Sequence, residues 1–72
     1  MRAPPAQVLR EAARDQHAGE TFEKALGRAV KSHQGTFQDY VGLIGKVRER
    51  AKRDKTPLGD AAKALAAEFG IT

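Results

Sequence analysis

The chain is predicted to be all-α, a compact bundle of three to four short helices, and three observations point there. Apolar residues recur at helical spacing along the whole chain, and no stretch alternates with the period of two that a half-buried strand needs. Glycine, proline and hydroxyl residues separate the periodic segments as helix stop and start signals. The 72 residues include no Cys, and 40% are hydrophobic and 31% charged, which suits one small domain without the disulfides that staple small secreted folds.

Residues 1–5 are expected to be a flexible N-terminus. The first helix, residues 6 to about 17, follows the Pro4-Pro5 pair, proline being tolerated where an N–H would be unpaired anyway. Val8, Leu9, Ala12 and Ala13 share one side of it, and Ala18-Gly19 ends it. The second, about 20–33, carries Phe22, Ala25, Leu26, Ala29 and Val30 on a core-facing stripe. Gly27 within it suits close approach of a neighbour, and Gly35 is expected to close it in the left-handed conformation.

Thr36 followed three residues later by Asp39 marks the start of the third helix, a hydroxyl cap with an acid near the positive end of the dipole. It should run to about residue 53 as the central helix, burying Phe37, Tyr40, Val41, Ile44, Val47 and Ala51. Gly42 and Gly45 would thin it where another helix crosses, and Tyr40 joins Phe22, Phe37 and Phe69 on core stripes, leaving no aromatic to stack on bases. Leu43 falls off the main stripe; it is either a contact patch for a second subunit or partner, or the sign of a helix wrapped on two sides. In the fourth helix Thr56 serves as N-cap and Pro57 as first helical residue. Leu58, Ala61, Ala62, Leu65 and Phe69 face inward, Gly70 stops the helix, and Ile71 folds back on it.

Charge is concentrated in one place. The net charge is +4, and residues 46–55 account for it with Lys46, Arg48, Arg50, Lys52, Arg53 and Lys55 against Glu49 and Asp54. Lys46, Arg50 and Arg53 fall on one helical stripe and Arg48, Lys52 and Lys55 on another, two basic rails flanking the solvent side. Such a local excess attracts polyanions, DNA ahead of RNA, or an acidic protein surface. The bland reading is a solvated helix end, with bases near the negative pole of the dipole and pairs such as Glu49 with Arg53 and Arg50 with Asp54.

Residues 60–72 resemble the first helix and turn of the helix-turn-helix family of DNA-binding proteins. Ala66 and Gly70 stand four apart like that motif's small residue and turn glycine, with Leu65, Phe69 and Ile71 at its buried positions. The resemblance implies DNA binding, but the base-reading helix would begin where residue 72 ends, so no reading residue carries over. Either the helix simply terminates there or the chain is the front of a longer protein.

Other chemistry finds little support. His33 has no carboxylate at i+3 or i+4 and His17 has only Glu20 at i+3, too few to complete a site, so no metal or other cofactor is expected, and both histidines suit helix ends. No nucleophile stands in a triad arrangement and no phosphate loop is present, so no catalytic residue is assigned and an enzyme is not expected. Arg10, Glu11, Arg14 and Asp15 occupy the place of a signal peptide's apolar core, and residues 40–45 fall far short of the roughly 20 residues of a membrane span; a cytoplasmic location is expected. A domain this small buries only about 60% of its unfolded surface, so a homo-oligomer is an available source of stability. The sequence thus suggests a nucleic-acid-binding or DNA-associated regulatory protein working through residues 46–55, or a helical module that docks on a larger complex.

Overall fold

Four apolar stripes become four helices in the computed structural model, which describes residues 3–69. They are α1 (Pro5–Asp15), α2 (Phe22–Ser32), α3 (Phe37–Asp54) and α4 (Leu58–Phe69), with no strand among the described residues. The fold is an all-α bundle.

The centre is occupied by α1 and α4, which pack against each other; α2 lies against α1, and α3 against α4. This corrects the expectation that α3 is central. Side-chain size explains it: Ala12, Ala61, Ala62 and Ala66 are fully buried and let α1 and α4 approach closely, with Val8 and Leu9 filling the core beside them. The helix α3 has too charged a circumference to be enclosed.

Local signals set most of the boundaries. The hydroxyl of Thr36 accepts from the Asp39 amide at 3.2 Å, and the Asp39 carboxylate accepts from the Thr36 amide at 2.8 Å, a complete capping box that holds the Asp39 carboxyl below its ordinary value. Thr21 caps α2 by accepting from the Lys24 amide at 3.3 Å, so α2 starts at Phe22 rather than near residue 20. The first helix stops at Asp15 instead of near His17, because Glu20 and Arg28 organise the turn. Glu20 accepts the His17 amide at 3.1 Å and takes both arms of the Arg28 fork, which also donates to the Asp15 carbonyl at 3.0 Å. Gly19 supplies the left-handed residue, φ 81°, in that turn.

Two helix ends differ from expectation. After α2 it is Gln34, φ 61°, that turns left-handed, and the Gly35 amide bonds back to the Val30 carbonyl at 2.8 Å in a Schellman arrangement. Gly35 is needed for space, since a Cβ there would stand 2.5 Å from Val30 Cγ1. At α4, Pro57 rather than Thr56 stands at the cap position, its carbonyl accepting from the Ala61 amide at 3.0 Å. The Thr56 amide instead closes α3 onto the Ala51 carbonyl at 3.1 Å, and its hydroxyl is buried without a partner among the described residues. The expected stop at Gly70 and Ile71 lies outside the described residues.

The roll of α3 matters most for function. Its buried residues are Leu43, Ile44, Val47 and Ala51, whereas Phe37 is 76% and Val41 48% exposed. Leu43 and Val41 lie about 160° apart around the helix, on opposite flanks of Ile44 and Val47, so one packed face buries only one of them. Leu43 is the one taken, at 7% exposure, so the contact patch expected there is part of the core. Gly42 and Gly45 face open space, and no helix crosses at them.

Candidate nucleic-acid interface

The same roll separates the two basic rails. Lys46, Arg50 and Arg53 lie on the Leu43 flank, toward α4, and the fold partly neutralises them. The Lys46 ammonium sits 5.4 Å from the centre of the Phe69 ring, a cation–π contact. Arg50 bonds through Nε to Asp54 at 2.6 Å and through Nη1 to Glu68 of α4. Its side chain is 17% exposed, so it points across to α4 rather than outward as expected. Arg53 reaches Asp54 at 3.4 Å instead of Glu49, and the Arg50 hydrogen bond, followed by Arg53, holds the Asp54 carboxyl below its ordinary value. A cleft of about 180 Å³ on this flank mixes these bases with Glu49 and Glu68, a poor seat for a polyanion.

The other rail faces solvent. Arg48, Lys52 and Lys55 are exposed at i, i+4 and i+7, and neither lysine has an ion pair among the described residues. Arg48 stands 3.5 Å from Glu23 of α2, a surface pair of the weak kind that opens readily. Lys55 closes α3 in the left-handed conformation, φ 55°, extending the rail past the last helical turn. From Arg48 to Lys55 the stripe is about 10 Å long, the axial span of about three phosphates of one B-DNA strand. The sequence named all six bases alike; the packing of α4 turns Arg50 inward, leaves Lys46 and Arg53 exposed beside acids and the Phe69 ring, and leaves Arg48, Lys52 and Lys55 on the other flank.

On the same stripe, toward the start of α3, stand Val41 and Phe37. Their exposure overturns the expectation that every aromatic side chain lies on a core stripe; Phe69 is exposed as well, while Phe22 is buried and Tyr40 half-buried. The competition between Leu43 and Val41 for one packed face was the signal available in the sequence.

Elsewhere, His33 bonds to Glu11 of α1 and holds that carboxyl below its ordinary value. The partner comes from another helix rather than from i+3 or i+4, and no group of three metal-ligating side chains occurs among the described residues. No helix there is long and apolar enough to cross a membrane. Comparison with known proteins yields no relationship: no family model, no curated protein and no solved structure matches the chain.

Proposed function

We propose that this protein binds the phosphate backbone of nucleic acid through the Arg48, Lys52 and Lys55 stripe of α3. The observation that carries the reading is the difference between the two rails: on one, Arg50 is turned inward onto Asp54 and Glu68 and Lys46 lies over the Phe69 ring, whereas on the other all three bases are exposed and neither lysine has an ion pair among the described residues. Contact of this kind is electrostatic and blind to sequence, so any selectivity comes from the shape or strandedness of the nucleic acid. A DNA-associated regulatory role in the cytoplasm is the setting in which such binding acts.

The test is fluorescence-anisotropy titration against short duplex DNA, single-stranded DNA and RNA at about 50 and 200 mM salt, the range over which phosphate binders lose affinity steeply. Binding at low salt that collapses at high salt, and that weakens when Lys52 or Lys55 becomes alanine, is expected. Failure to bind any of the three at low salt removes the reading.

A further inference from the structure

A groove of about 390 Å³ runs between α2 and the start of α3, lined among others by Glu23, Gly27, Lys31, Thr36, Phe37 and Tyr40. The rings of Phe37 and Tyr40 stand 6.0 Å apart and tilted by 31°, forming one aromatic wall. Opposite them Gly27 presents no side chain; a Cβ there would come 3.9 Å from the Tyr40 ring, so the glycine keeps the groove wide. Glu23, Lys31 and Thr36 bring a carboxylate, an ammonium and a hydroxyl to the rim. An apolar cleft of a few hundred Å³ with a few convergent polar groups is the usual form of a small-ligand site.

One residue links the groove to the basic stripe. Glu23 on its rim is the residue that meets Arg48, and Phe37 shares the helical stripe of Arg48, Lys52 and Lys55. An occupant therefore has a flat apolar body with a hydrogen-bonding edge, carried on a chain of negative charges. We propose that the groove holds an unpaired base of a single-stranded nucleic acid, stacked on Phe37, while phosphates further along the same strand reach the basic stripe, which begins at Arg48 about 16 Å along α3. This rests on the backbone reading above and adds strandedness to it.

Two alternatives fit the surface less well. In a duplex, every base is stacked and paired and cannot enter a groove beside the backbone. A docked helix needs apolar anchors over two turns, yet the exposed apolar surface of α3 ends after one turn, at Val41, and gives way to Gly45 and then bases. A single inserted planar group matches what is present.

Base–aromatic stacking is lost on alanine substitution by about 5- to 150-fold per base. The experiment measures binding of single-stranded DNA and RNA carrying one 2-aminopurine, and of the matching duplex, by wild type, Phe37→Ala, Phe37→Trp and Arg48→Ala. Phe37 is exposed, so its replacement leaves the core intact.

Single strands of either sugar should bind more tightly than the duplex and quench 2-aminopurine. Phe37→Ala should lose affinity within that range, and the quench with it, at unchanged salt dependence, and Phe37→Trp should restore both. Arg48→Ala should lower the salt dependence and keep the quench. If Phe37→Ala binds single strands as wild type does, or the duplex binds as tightly as the single strand, the base site is wrong while salt-dependent binding by α3 still stands. If neither form binds at low salt, both readings fall, and the groove belongs to a protein partner.

Discussion

The division between the two rails makes a quantitative contrast between Arg50 and Lys52, two neighbours of equal formal charge. Each phosphate neutralised on a single strand contributes about 0.7 to the log–log salt slope, so Arg48, Lys52 and Lys55 together give a slope of about −2.1. Raising salt from about 50 to 200 mM then weakens binding about 20-fold, and Lys52→Ala, with two contacts left, reduces that factor to about 7-fold. Arg50→Ala removes a guanidinium already committed to Asp54 and Glu68, so it should leave the 20-fold factor in place. Its cost falls on folding instead, as a lower melting temperature, because it unties α3 from α4. The assay is anisotropy at several salt concentrations on variants shown by circular dichroism to be folded at the working temperature. An Arg50→Ala slope reduced as far as that of Lys52→Ala would refute the assignment of the rails.

Three further outcomes follow from packing and ionisation. Leu26 is fully buried, so Leu26→Ala should cost about 2–5 kcal/mol, a large part of the roughly 5–15 kcal/mol available to a domain; an unchanged urea midpoint would contradict the core described. Gly45 lies inside α3 facing open space, so Gly45→Ala should stabilise the protein by about 1 kcal/mol in thermal or denaturant unfolding, and destabilisation would mean that the face is covered. Arg28 and the His17 amide hold the Glu20 carboxyl down to about 2, and Glu11, Asp39 and Asp54 are also depressed by their partners. The unfolded chain therefore binds protons first as pH falls, so melting temperature should be flat above about pH 5 and decline toward about pH 2, less steeply in Arg28→Ala. A constant melting temperature across that window would contradict these pairings.

The sequence was most informative where one residue type had one physical use. Thr36 and Asp39 announced their capping box, and the stripe of Phe22, Ala25, Leu26 and Val30 announced the buried face of α2, because both depend only on neighbours within a turn or two. The roll of α3 was not legible in the same way. Phe37, Val41 and Leu43 all have a claim to the core, and the outcome depends on which side α4 occupies, a fact settled by contacts between distant segments. The ranking of the six bases inherited that ambiguity: Glu68, which takes Arg50 out of play, lies 18 residues further along the chain. The groove was hidden for the same reason, since it exists only because Phe37 is left outside.

The pairing of α1 with α4 has a bearing on how the molecule comes into being. During synthesis α1 precedes α4, and α1 divides its packing between α2, which follows at once, and α4, which comes only after α2 and α3 are made. The nascent chain therefore carries α1 covered only on its α2 side until α4 is released, and the core then closes by joining the two most distant of the four helices. Long-range closure of this kind slows folding relative to a bundle built from neighbouring hairpins. It also predicts the slowest amide exchange in α1 and α4, since each is packed against two other helices.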